Sequence, residues 1–270
     1  MDYSSIAELF ALAPRVQDAV RAAYRGDSDA DIRMREALHV MRESVADGMQ
    51  PDLKSVSGMT GGQAAKIDPE KALGGRTLAR ASAIALAVAE SNAAMGRIVA
   101  APTAGACGIL PGALFATEEA HGYTEDELID ALFTAAGVGR VIAMRASISG
   151  AQGGCQAECG SASAMAAAAL VQLAGGTKEA MESAIAFAMM NLMGLVCDPV
   201  KGLVEVPCVY RNVIGVANAL TAADMALAGI VSPIAADEAI DAMGRVGSML
   251  PEALRETGKG GCASCKLRVQ

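Results

Sequence analysis

Apolar residues recur at helical spacing along most of the chain. Up to about Gly48 they sit among charged residues, with Ile32, Ala37, Leu38 and Met41 near one helical face, which predicts a charged helical segment over residues 1–48. From about Thr77 to Val99 the chain is rich in alanine and reads as a buried helix ended by Pro102. Thr124 and Glu127 make a capping-box pattern ahead of Leu128, Ile129, Leu132 and Phe133, which marks a helix start. Further Ala-rich helical runs are predicted over about 163–174, 178–195, 212–228 and 236–249. Strand-like alternation is scarce, and Gly202-Leu203-Val204-Glu205-Val206 is its best candidate. The pattern predicts a mainly α protein, a single compact Ala/Gly-rich helical domain with ligand-carrying loops between helices.

Composition sharpens this reading. The chain is 53% hydrophobic but only 3% aromatic and has no Trp, so small side chains supply most of the apolar surface. Helices covered in such side chains can approach closely. At 270 residues there is enough chain to bury a large core. The net charge of -8, with no basic stripe, argues against nucleic acid, whose backbone is bound by clustered Lys and Arg. Two uncharged stretches, Ile98 to Thr117 and Cys159 to Thr177, approach the length of a membrane span. Pro102 and Pro111 break the first; Ser161, Ser163, Gln172 and a Gly pair interrupt the second. Buried helix rather than membrane is expected. The start, Met1 to Ser5, lacks the layout of a secretion signal, so a cytoplasmic protein is expected.

The glycines concentrate between the predicted helices. Ser55-Val56-Ser57-Gly58-Met59-Thr60-Gly61-Gly62, Pro102 to Gly108, Ile148 to Gly160 and Cys197 to Cys208 are all poor helix formers. Glycine in such loops lets backbone come close to a ligand.

Seven cysteines, an odd number, do not suggest a disulfide framework. Two glycine-rich loops each carry a pair: Cys155 with Cys159, and Cys197 with Cys208. Cys155, Cys197 and Cys208 fall where helices stop or start, and free backbone N–H groups there lower a thiol pKa. Paired zinc knuckles, a haem-attachment motif and a ferredoxin-type run are absent from this region. By themselves these residues are compatible with a soft-metal site and identify no particular metal.

The stretches Ala101 to Gly105, Ile148 to Glu158, Gly194 to Val200 and Pro207-Cys208 resemble, in order and spacing, the signatures of iron–sulfur-dependent L-serine dehydratase alpha subunits. Ser57 to Gly62 and Leu254-Arg255-Glu256-Thr257-Gly258 extend the resemblance, which runs from about residue 50 to 261. It implies a catalytic domain over 49–261 and a tail over 262–270. It also implies an L-serine ammonia-lyase making pyruvate and ammonia, a 4Fe–4S cluster on Cys155, Cys197 and Cys208, and a separate beta subunit with a possible higher oligomer. Such an enzyme would belong to serine catabolism, feeding gluconeogenesis. Cys159 and Cys107 are then expected in the core.

Within that frame Ser57, Thr60 and Gly61 are the substrate-binding candidates and Lys66 a candidate base, while His39 and His121 lie outside every matched motif. Relatives can carry a C-terminal Cys over the open iron; here Cys262 and Cys265 fit that spacing poorly, and a frayed, inert tail is expected. Ser264-Cys265-Lys266-Leu267-Arg268 fits the string around a pyridoxal-phosphate lysine, but too little chain follows to build its pocket. Cys262-Ala263-Ser264-Cys265 is half of a zinc knuckle, and Glu256 to Gly260 lacks the residue a P-loop needs after its lysine.

Overall fold

The computed structural model describes residues 2–24 and 29–267. Its helices are α1 (Ile6–Ala11), α2 (Val16–Ala23), α3 (Ala30–Gly48), α4 (Arg76–Ala93), α5 (Ile109–His121), α6 (Glu125–Arg145), α7 (Gly150–Gly153), α8 (Ser161–Leu173), α9 (Lys178–Asn191), α10 (Cys208–Leu227) and α11 (Ala236–Met249). Among the described residues no strand forms, so the mainly α expectation holds. No helix among them is long and apolar enough to cross a membrane.

The core is organised around α8, which is buried from Ser161 to Val171 and packs against α5, α6, α9 and α10. A helix apolar all round can be satisfied only by such surroundings. Alanine on α4 serves the same end on a smaller scale. A Cβ on Gly48 of α3 would lie 1.9 Å from the Ala87 carbonyl oxygen of α4, and one on Gly108, just before α5, 2.1 Å from that of Ala85. Only glycine permits both approaches.

The Thr124 capping box forms as the sequence predicts: the Glu127 N–H donates to Thr124 Oγ1, and the Thr124 N–H donates back to Glu127 Oε2 at 2.7 Å. Helix α4 stops at Ala93, short of Val99, because Met95 is left-handed (φ 65°) and the Gly96 N–H turns back to the Ser91 carbonyl. Helix α9 likewise ends at Asn191, ahead of Gly194 (φ 87°), and α10 begins four residues earlier than predicted, at Cys208.

Three expectations are corrected. Gly202–Val206 is not a strand: Lys201 (φ 56°) and Gly202 (φ 69°) reverse the chain, and the Val200 N–H closes the loop onto the Val206 carbonyl at 2.8 Å. Ile148 to Gly160 is not an open loop either. It winds into α7, breaks at Gly154 (φ 76°), and continues as a π-helical turn over Gln156–Gly160 into α8. The start of the tail is not frayed: the Cys262 N–H donates to Asp198 Oδ2 at 2.6 Å, and Gly261 (φ 61°) packs so tightly there that a Cβ would overlap the Asp198 carboxylate.

Candidate active site

The π turn places Cys155 at the foot of α8. Its neighbour Gln156 is buried and fully engaged: its amide donates to the Gly153 carbonyl at 2.8 Å and to that of Met243 at 3.2 Å, and its oxygen accepts from the Gly194 N–H at 2.8 Å. That side chain therefore stitches the Cys155 turn to α11 and to the loop after α9. Cys197, on the same loop, is held by backbone on both sides. Its N–H donates to the Leu254 carbonyl at 2.9 Å, and its carbonyl accepts from the Glu256 N–H at 2.7 Å. Cys208 opens α10 directly after the cis Val206–Pro207 bond.

All three thiols are buried. The two loops are tied together: the Gln156 N–H donates to the Leu195 carbonyl at 2.9 Å, and the Asn212 amide donates to the carbonyls of Cys208 at 3.0 Å and of Gly105, which abuts Glu158, at 2.8 Å. Cys159 and Cys107 are completely buried, consistent with core positions. Cys159 nonetheless touches the group, its sulfur 3.3 Å from that of Cys155.

Four groups with no assigned role in the sequence complete the surroundings. Glu158, on the π turn, accepts from Thr103 Oγ1 at 2.7 Å, and its other carboxylate oxygen lies 3.9 Å from the Cys197 sulfur. Gly105 and Gly150 make room for it: a Cβ on Gly150 would lie 2.6 Å from Glu158 Oε2 and 2.9 Å from the Cys197 sulfur, and one on Gly105 2.8 Å from Glu158 Oε1. Arg211, one turn into α10, forms an ion pair with buried Asp198 at 2.7 Å and donates to the Val196 carbonyl at 2.7 Å.

Burial pushes the Glu158 carboxyl above its ordinary value, against the Thr103 hydrogen bond. Burial also pushes Cys208 up to about 12 and raises Cys197, with the charge on Glu158 adding to both. Cys155 moves the other way, lowered first by its hydrogen bond with Cys159 and then by Arg211, which together outweigh burial.

Among the described residues, no three His, Cys, Asp or Glu side chains converge on a point that would hold a single metal ion. A multi-iron cluster makes a different demand, since each thiolate binds its own iron. Three buried thiols suit soft iron–sulfur chemistry, and cationic iron would offset the cost of ionising them.

The substrate-binding candidates are engaged by two other acids. Ser57 Oγ donates to Glu205 at 2.5 Å and Thr60 Oγ1 at 2.8 Å, and Ser55 Oγ donates to the same carboxylate. Those three bonds hold the Glu205 carboxyl below its ordinary value although burial pushes it up. The Gly61 N–H donates to Glu90 Oε1 at 3.0 Å, with the N–H groups of Gln63 and Ala64 on the same completely buried carboxylate. The loop of sequence candidates is thus folded over two buried acids. Lys66 is exposed, and with Thr60 and Gly61 it lines a cavity of about 790 Å³.

His39 pairs with Glu43 at 3.1 Å, and His121 stacks near Tyr123. Lys266 is exposed and Lys259 pairs with Glu252, so neither rival lysine has a pocket around it. Arg268 of the Ser264–Arg268 string lies outside the described residues.

Composition held a signal for two of the missed acids and bases. Glu90 is the one charged residue between Arg80 and Arg97, and Arg211 the one between Cys208 and Asp224. A lone charge in an apolar helix calls for a buried partner. Glu158 and Asp198 carried no comparable mark.

The chain is similar to several known proteins. A 42% identity over 255 residues links the chain to the L-serine dehydratase alpha chain of Peptoniphilus asaccharolyticus, covering 93% of this chain and 87% of that one. A probable L-serine dehydratase alpha chain of Bacillus subtilis (strain 168) is 53% identical over 236 residues, 86% of this chain and 78% of that one. L-serine dehydratase 1 of Escherichia coli (strain K12) is 45% identical over 181 residues, which are 66% of this chain but 40% of that protein. The model of one family, described as serine dehydratase alpha chain, matches residues 8–263. With nearly its whole length matched, this chain belongs to the serine dehydratase alpha-chain family.

Proposed function

We propose that this chain is the catalytic alpha subunit of an L-serine ammonia-lyase, converting L-serine to pyruvate and ammonia with a 4Fe–4S cluster held by Cys155, Cys197 and Cys208. The observation that supports the proposal is the burial of all three thiols on two loops that are hydrogen-bonded to each other, with Glu158 3.9 Å from the Cys197 sulfur. When bound, a cluster with three protein thiolates supplies an iron free to act as a Lewis acid toward the substrate hydroxyl.

The chain's own residues supply the rest. Loss of water from serine needs removal of the Cα proton by a base within hydrogen-bond reach. Glu158 is the acid beside the thiols, with one oxygen fixed by Thr103 and the other directed toward Cys197. It is our candidate for that base, in preference to Lys66. Arg211, locked to Asp198, keeps a permanent positive charge near Cys155 and favours its thiolate. Ser57, Thr60 and Gly61 form the wall proposed to receive the amino acid, and Glu205 and Glu90 fix its shape from behind. The enamine left by loss of water tautomerises and hydrolyses to pyruvate and ammonia.

The relatives from Peptoniphilus asaccharolyticus and Bacillus subtilis are named alpha chains, which supports a separate beta subunit completing a larger assembly in the cytoplasm. Anaerobic preparation followed by assay of iron, sulfide and pyruvate release tests the proposal. The expected product is brown, iron-loaded protein that releases pyruvate from L-serine, faster with the beta subunit present. Colourless, metal-poor protein that still released pyruvate would overturn it.

A further inference from the structure

A second cavity, of about 710 Å³, opens beside the turn that leads into Cys155. Arg145, Arg245 and Arg255 line it together with Ser147 and Ser248, and Asp241 is the one acid among its lining residues. Three arginines against one aspartate is a local reversal in a chain with 22 basic and 30 acidic residues. Arg145 is already neutralised, gripping Asp241 through two bonds of 3.0 and 2.6 Å. Arg245 and Arg255 form no ion pair among the described residues; the charge that feels Arg255 is Glu252, which is itself bonded to Lys259 at 2.7 Å. Two uncompensated guanidinium groups, permanently charged, therefore share one concave site. Its volume falls in the range of small-molecule sites, roughly 300–1,000 Å³.

The walls of this cavity are also the supports of two thiols. The backbone of residues 254–256, which carries Arg255, makes both hydrogen bonds to Cys197. Helix α11, which carries Arg245, lies so close to the Cys155 turn that a Cβ on Gly247 would be 2.8 Å from Gly153 Cα. Gln156 bonds to Gly153 and to Met243 of the same helix.

We propose that this cavity binds a small carboxylate anion, held by Arg245 and Arg255 and distinct from the thiol-lined site, and that its binding tightens the loops carrying Cys155 and Cys197. The guanidinium fork matches a carboxylate with two parallel N–H···O bonds. An anion bridging α11 and the 254–256 strap adds a link between two elements that each support a thiol loop. The binding claim stands on the cavity alone and holds whether or not the reading of the thiol site is correct.

The test is a titration of the full-length chain, at constant ionic strength, with pyruvate, L-serine, succinate and inorganic phosphate, followed by calorimetry and by thermal midpoint. At least one carboxylate is expected to bind saturably and to raise the midpoint by roughly 5 °C at about a hundredfold excess over its dissociation constant. The four arms separate an amino acid, an oxo acid and a dicarboxylate as its source. Arg245→Gln and Arg255→Gln should each weaken binding by roughly tenfold or more, whereas Arg97→Gln, far along the chain and paired with Glu36, should not. Hydrogen exchange at residues 155–160 and 197 should slow on binding in the unsubstituted chain but not in Arg245→Gln. Absence of saturable carboxylate binding, phosphate binding more tightly than every carboxylate, or undiminished affinity in a folded Arg245→Gln chain would overturn the assignment of the site. Binding with unchanged exchange would overturn the tightening.

Discussion

Around α8 the protein buries little besides methyl groups and short apolar chains, whereas around Cys155 it buries four thiols and an aspartate and half-buries a carboxylate and a guanidinium. The first region follows the hydrophobic effect, and its stability comes from area removed from water and from close packing. In the second, every polar group costs free energy unless it is paired, and the groups are held by specific partners: Thr103 on Glu158, the Arg211 ion pair on Asp198, and three backbone groups on Gln156. A chain that needed only to fold could have filled that space with alanine, as it does next door. The difference identifies the polar region as the one shaped by chemistry.

The largest expected effect breaks the polar side of the comparison outright. Cys197→Ser should lose both iron and turnover, while Cys159→Ala, which also removes a buried thiol from the group, should keep most of each. Iron content per chain, measured after identical anaerobic loading, decides this. Equal iron in Cys197→Ser and unsubstituted protein would remove Cys197 from the ligand set. Next in size is Glu158→Gln, which keeps the Thr103 contact and the shape but abolishes the base. We expect kcat to fall by roughly 10²–10⁴-fold with iron content and KM near their original values. A fall in iron equal to the fall in kcat would make Glu158 a support for the thiols instead.

Much of the apolar region was legible in the sequence and much of the polar region was not, for one physical reason. Periodicity reports which face of a helix is covered, so α6 with its capping box, α8 and α11 could be placed to within a few residues. The three cysteines were legible through the motifs around them. Partners across the fold leave no periodic trace. Glu205, between Val204 and Val206, reads as the polar position of a strand, yet it is buried and takes three hydroxyls from residues 55–60. Ser57 and Thr60 read as free donors for a ligand, yet both are engaged by Glu205. Long-range pairing of a buried acid with a distant loop is set by tertiary structure alone.

Glu205 offers a smaller and more graded test, because its role depends on charge. In the folded protein its carboxyl sits below the ordinary glutamate value, so it contributes stability at pH values above that of the unfolded chain, about 4.3. The contribution is lost as pH falls through the lower, folded value. Urea midpoints of unsubstituted and Glu205→Gln protein should therefore differ at pH 7 and converge as the solution is acidified toward pH 4 and below. A gap that stayed constant across that range would mean that Glu205 acts by shape and not by charge.

The smallest effect expected belongs to the apolar side. A single methyl group at Gly48 has nowhere to go, since the Ala87 carbonyl oxygen would lie 1.9 Å from it and α3 would have to withdraw from α4. Overpacking of this kind costs about 1–3 kcal/mol, or a fall of roughly 2–4 °C in thermal midpoint for each kcal/mol in a chain of this size. Because Gly48 touches none of the thiols, Gly48→Ala should lower the midpoint while leaving iron content and turnover per loaded chain unchanged. That outcome would separate the two regions energetically as well as chemically. If turnover per iron fell in step with the midpoint, the alanine core would be setting the geometry of the thiols across the length of α4, and the boundary between packing and chemistry would have to be drawn through the core itself.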